Sequence, residues 1–162
     1  MLNENYRKFI GRILGGSTAV SLELYDWFNY ATNPYTFGVS SWNQVCNPYA
    51  PVGSDAFKSG ISIIVGNGDK APTVKDIRLS SMINNLSYIT ASTIQGTGDY
   101  NKLISVTYKN NTENKVTVKE VGLMMQETNG NLYRKALLGR VVLDTPVVMT
   151  PGDTYTFTFC IE

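Results

Sequence analysis

Thr154-Tyr155-Thr156-Phe157-Thr158-Phe159-Cys160-Ile161 alternates without a break, so Tyr155, Phe157, Phe159 and Ile161 line one face. A period of two over eight residues is the mark of a strand with one side on a core and the other in water. Pro151-Gly152-Asp153 immediately before it reads as a tight return into that strand. Working outward, the same period recurs in Ala19-Val20-Ser21-Leu22-Glu23-Leu24, and further strands are expected over 60–65, 86–94, 100–110, 115–126 and 132–143. Polar turn signals separate them: Gly66-Asn67-Gly68-Asp69, Gly96-Thr97-Gly98-Asp99, residues 110–114 and Asn129-Gly130-Asn131. Asn129-Gly130 suggests a tight hairpin between two of the strands. Short strands at such intervals predict a mostly β fold, an antiparallel β-sandwich, with jelly-roll and immunoglobulin-like topologies both open.

The chain of 162 residues fits one domain. Within it, residues 1–16 read as an N-terminal arm and 17–162 as the sandwich. In the arm Leu2, Tyr6, Phe9, Ile10, Ile13 and Leu14 recur at helical spacing, Asn3 can cap, and Gly15-Gly16 ends the segment. So short an amphipathic helix is unstable alone and must dock, on its own domain or on a neighbour. Residues 27–59 are irregular, with Pro34, Pro48 and Pro51 among Tyr30, Tyr35, Phe37, Trp42, Tyr49 and Phe57. Three readings stand for them: a packed loop, a subunit contact, or a platform on which rings stack against a ligand. Leu2, Tyr6, Phe9, Ile10, Ile13, Tyr35, Phe37, Trp42 and Tyr49 are therefore the candidate interface residues.

Composition excludes more than it suggests. Apolar residues make up 43% of the chain, charged ones 17%, and the net charge is +1, which opposes disorder and electrostatic binding of nucleic acid. Histidine is absent, which removes Ser-His-Asp and Cys-His hydrolases and His-ligated metals. The glycine-rich runs lack dinucleotide or Walker spacing, and the carboxylates are scattered, so no catalytic, cofactor or metal residue is nominated. Residues 2–10 are too polar for a signal peptide, no apolar run spans a membrane, and synthesis in a cytoplasm is expected. Of the two cysteines, Cys160 lies in an alternating run that should face a core, so buried thiols are favoured over a Cys46–Cys160 bridge. Glu120 interrupts Val116-Thr117-Val118-Lys119-Glu120-Val121-Gly122-Leu123, where Gly122 suggests a bulge. A carboxylate beside a bulge can accept stray backbone N–H groups or pair with Arg140 or Arg134. Pro72-Thr73-x-x-Asp76 suits a single turn between strands, and Asp144-Thr145-Pro146 a turn that stops one.

Four segments carry a resemblance. Ile64-Val65-Gly66-Asn67-Gly68-Asp69-Lys70-Ala71-Pro72-Thr73 with Asp76-Ile77-Arg78-Leu79 comes first, and Val118-Lys119-Glu120-Val121-Gly122-Leu123 follows. Then comes Ala136-Leu137-Leu138-Gly139-Arg140-Val141-Val142-Leu143-Asp144-Thr145-Pro146-Val147, continued by residues 151–157. With the opening Met1-Leu2-Asn3-Glu4-Asn5-Tyr6-Arg7-Lys8-Phe9, this ordered set resembles small tailed-bacteriophage virion structural proteins over about half the chain. Ile77 stands where the family pattern often has an aromatic, and Gly139 where a larger residue is common. The resemblance implies a non-enzymatic virion component made in an infected bacterium and packed as repeated copies in a tail, fibre or head surface. Its partners would be copies of itself and other virion proteins, with neither nucleic acid nor membrane bound. A module at a fibre or tail tip that binds host glycans, with Tyr35, Trp42 and Tyr49 stacking on sugars, is the alternative.

Overall fold

A computed structural model describes residues 1–8, 19–24, 34–38, 60–95, 102–129 and 132–161. It is mostly β. The strands are β1 (Ala19–Leu22), β2 (Tyr35–Gly38), β3 (Gly60–Gly66), β4 (Ser87–Gln95), β5 (Lys102–Lys109), β6 (Val116–Asn129), β7 (Leu132–Met149) and β8 (Thr154–Ile161). They form two three-stranded sheets, ordered β3-β6-β7 and β4-β5-β8, and the separate pair β1-β2, and every pairing is antiparallel. The steps β4–β5 and β6–β7 stay within a sheet, whereas β3–β4, β5–β6 and β7–β8 cross between sheets. Asn129 pairs with Leu132, leaving only Gly130 and Asn131 between β6 and β7.

One apolar cluster joins the sheets. Ile61, Ile63 and Val65 of β3, Leu123 and Met125 of β6 and Leu138 of β7 share it with Ile104, Val106 and Tyr108 of β5 and Phe157 of β8. The β3-β6-β7 sheet is buried on its other face too, where Ile64, Met124 and Leu137 pack with Leu79. That explains two sequence patterns at once. β3 reads Gly-Ile-Ser-Ile-Ile-Val-Gly, without alternation, because all of it is buried. β8 alternates because only its inner row meets the core.

Parity along β8 overturns one expectation. Cys160 is exposed and free, because it falls on the opposite face from Phe157 and Phe159. Two other expectations need adjusting. The 27–59 stretch is not wholly irregular, since Tyr35–Gly38 pairs with Ala19–Leu22. Nor does a strand stop at Asp144-Thr145-Pro146, since β7 runs on to Met149. The register explains how the proline is tolerated: Glu120 faces Val142, but Val118 faces Val147, so β7 carries surplus residues there and leaves the ladder around Pro146. A second shift lies between Leu123 and Met124. Asp144 and Pro146 are exposed.

The chain end is woven into this scaffold. Residues 4–8 are helical, and the Asn3 side chain accepts from the Tyr6 N–H at 3.1 Å as a cap. Tyr6 is half-buried against the main core. Phe9, Ile10, Ile13 and Leu14 lie outside the described residues. At the far end of the molecule, the buried Asn110 amide donates to the carbonyls of Asn114 (2.8 Å) and Met149 (2.9 Å). Gly152, at φ 88°, turns the chain into β8 while its N–H donates to the Asn110 carbonyl at 2.7 Å.

Candidate functional site

The densest polar construction lies on the outer face of the β3-β6-β7 sheet. Glu120 has no exposed surface, and the Arg140 side chain is 3% exposed. Arg140 pairs across β6 and β7 with Gly122, and its neighbour Val142 with Glu120, so the register brings the two charged side chains to the same face. Arg140 Nε donates to Glu120 Oε2 at 2.6 Å, Nη1 to Asp76 Oδ2 at 2.8 Å, and Nη2 to the Lys70 carbonyl at 2.6 Å. The Glu120 carboxylate also accepts the backbone N–H groups of Gly68 (3.1 Å), Ser80 (3.0 Å) and Ser81 (2.7 Å). Every oxygen is therefore engaged with donors, which is the condition under which a buried charge is tolerable.

What these bonds hold is the connection between β3 and β4. Residues 67–83 fold back over the sheet, with Gly66 bridged to Met82 and the Ile83 N–H donating to the Val65 carbonyl. Gly66 and Gly68 are required by proximity: a Cβ on either would collide with the Glu120 side chain, and with Ser81 or Ser80. Further along, the Thr73 N–H (2.9 Å) and hydroxyl (2.8 Å) donate to Asp76, closing the turn that begins at Pro72. Burial pushes the Asp76 carboxyl up, but the Thr73 N–H, the Arg140 guanidinium and the Thr73 hydroxyl together outweigh it and hold the carboxyl below its ordinary value. Arg140 is held above its ordinary value because Asp76 and Glu120 outweigh the cost of its burial.

The N-terminal segment clasps the same corner. The Met1 ammonium donates to the Arg140 carbonyl at 2.6 Å, the Arg140 N–H to the Met1 carbonyl at 2.9 Å, and Leu2 bridges to Gly139. A Cβ at Gly139 would meet the Leu2 side chain, so the small residue admits the crossing strand. Asn3 donates to the carbonyls of Asp76 and Leu137, both at 2.7 Å, and Asn5 to those of Glu23 (2.8 Å) and Leu137 (3.0 Å).

Chemically this assembly is closed. Its charged atoms face one another and the backbone, leaving no open coordination for a reacting group. A shallow groove of about 210 Å³ beside it is lined by Asn3, Asn5, Glu23, Lys75 and Asp76, but Glu120 and Arg140 do not reach it. Among the described residues no group of three His, Cys, Asp or Glu side chains could hold a metal ion.

The sequence candidates divide accordingly. Pro72, Asp76, Glu120, Gly122 and Arg140 come together in one corner, while Asp144 and Pro146 lie apart in the displaced part of β7. Leu2 and Tyr6 are engaged by their own chain. Tyr35 and Phe37 belong to β2. Trp42 and Tyr49 lie outside the described residues. Sequence reading missed the buried amides of Asn3, Asn5 and Asn110 as structural bolts, since asparagine is ordinarily exposed and no spacing marks these three. No protein-family model matches this chain, and neither a curated protein nor a solved structure matches it.

Proposed function

We propose that this chain is a non-enzymatic structural protein of a tailed-bacteriophage virion, assembled in repeated copies in the tail, fibre or head surface after synthesis in the infected bacterium. One observation carries the reading. The separate segments that resemble such proteins, around 64–79, 118–123, 136–147 and the N-terminal residues, meet in the corner built by Asp76, Glu120 and Arg140. A shared pattern that converges on a closed clasp points to a scaffold whose shape is the function. Two three-stranded sheets around one apolar cluster support the β-sandwich architecture expected for it. Repetition on a symmetric particle multiplies modest contacts into firm attachment, so no single conspicuous binding site is needed.

The test is quantitative mass spectrometry of purified particles of the phage that encodes the chain. Its peptides should be present at many copies per particle. Their absence from particles, with the protein abundant in the infected cell, overturns the reading.

A further inference from the structure

We infer that β8 is an assembly edge that pairs antiparallel with β8 of a second copy. β8 stands at one end of the order β4-β5-β8. Exposed strand edges invite foreign strands, and proteins blunt them with charges, prolines, bulges or a covering segment. The other described edges of the two three-stranded sheets carry such devices. β4 is broken by a register shift that leaves Ile89 as a surplus, half-exposed residue. β3 is buried throughout, with residues 81–83 bonded back along its end. β7 is overlaid by residues 1–3 and interrupted by Pro146 and two register shifts. β8 has none of these devices: Thr-Tyr-Thr-Phe-Thr-Phe-Cys-Ile holds no charge, proline or glycine, and its register with β5 is unbroken.

A groove of about 300 Å³ opens beside it, between β7 and β8, walled by Val121, Val141, Leu143, Phe157 and Phe159. A strand added to β8 must therefore send apolar side chains inward at alternate positions and small polar ones outward. It must also carry no charge, because neither the groove nor the edge supplies a counter-ion. β8 itself meets every one of these demands. Antiparallel self-pairing keeps parity, setting Tyr155, Phe157 and Phe159 of both copies over the joined grooves. On the outer face it extends the hydroxyl rows Ser105–Thr158 and Thr107–Thr156, each bonded at 2.8 Å. The product is one continuous sheet, β4-β5-β8 of one copy running into β8-β5-β4 of the next.

The inference stands independently of a virion location, and its test uses the purified full chain alone. Light scattering behind size-exclusion chromatography, over a concentration series, should give a dimer. Thr156 and Thr158 are exposed, so the double variant T156K/T158K should keep its fold. It should weaken dimerisation by about tenfold or more, because like charges set opposite each other oppose strand pairing. T90K/S92K, which adds the same charge to exposed positions on β4 of the same sheet, should dimerise as the unmodified chain does. Amide hydrogen exchange over 154–161 should slow as concentration rises through the transition. A monomer at every concentration, with exchange over 154–161 independent of it, overturns the self-pairing and assigns the edge to a different chain. A dimer that T156K/T158K leaves intact overturns it equally.

Discussion

At the scale of single residues, the fold depends on charges that are affordable only together. Glu120 neutralises Arg140 and satisfies three backbone N–H groups of the overlying connection. Removing the carboxylate leaves a buried guanidinium short of its counter-charge and three donors without an acceptor. Glu120→Ala should therefore lower unfolding free energy by about 3–5 kcal/mol, the usual result of breaking a buried ion pair from one side. Glu120→Gln should fall between the two in urea unfolding, since it keeps one acceptor oxygen but turns an amide N–H₂ toward other donors. Asp76 makes the same corner sensitive to acid. Its folded pKa is depressed, so its contribution is complete above the unfolded aspartate value of about 3.9 and is lost as pH falls through the lower folded value. Stability measured downward from pH 5 should fall more steeply in the unmodified chain than in Asp76→Asn. The comparison must be differential, because the Thr150 hydroxyl and N–H also hold the exposed Asp153 carboxyl low and add to the same limb. Identical slopes for the two proteins would show that Asp76 is not a source of the acid response.

At the scale of elements, the chain solves two problems of coverage. The β3-β6-β7 sheet needs a second layer, and the connection over 67–83 supplies it with only Leu79 and Met82 as apolar contributions to the minor cluster. So few apolar anchors explain why polar bonds do the holding. The free edge of β7 needs a cover, and the N-terminal residues provide it through main-chain bonds at Leu138 and Arg140. Asn5 ties that cover to the segment after β1, giving two N–H donations to the carbonyls of Glu23 and Leu137 and accepting the Glu23 N–H at 2.7 Å. Asn5→Ala should cost about 1–3 kcal/mol, the penalty for stranding buried polar groups, and should speed amide exchange at Glu23. Much of this level was legible beforehand. The β8 alternation, the Asn129-Gly130 hairpin and the Pro151-Gly152-Asp153 turn are local signals, and a local pattern suffices to read them. The displaced register of β7 was not, because a bulge is a relation between two strands, and Asp144-Thr145-Pro146 alone looks the same as a stop. Glu120 and Arg140 could be nominated from a carboxylate beside a glycine in an apolar strand. Asp76 as their third member could not, since it arrives from a distant turn.

At the scale of the whole molecule, what matters is how firmly the two sheets are coupled. Apolar packing between sheets is largely indifferent to small sliding motions, whereas a directional bond is not. Tyr108 supplies one: from β5 its hydroxyl crosses the core and donates to the Ile63 carbonyl of β3 at 2.7 Å, while its ring meets Phe157 edge-on with centroids 6.3 Å apart. The sequence hid this, because a tyrosine at an inward position reads simply as core. Tyr108→Phe keeps the ring and removes the bond, so it should cost about 1 kcal/mol in unfolding free energy at neutral pH. The same variant has a second signature. Burial, with a smaller effect from Tyr88, pushes the Tyr108 phenol far above its ordinary value. A raised folded pKa means that the phenol's contribution is complete below the unfolded tyrosine value of about 10 and is lost as pH climbs above it. The unmodified chain should therefore lose stability above pH 10 more steeply than Tyr108→Phe, so that the difference between them narrows or reverses in alkali. A constant difference from neutrality through pH 11 would show that the hydroxyl is not kept from ionising by the fold, and that the sheets are coupled by packing alone.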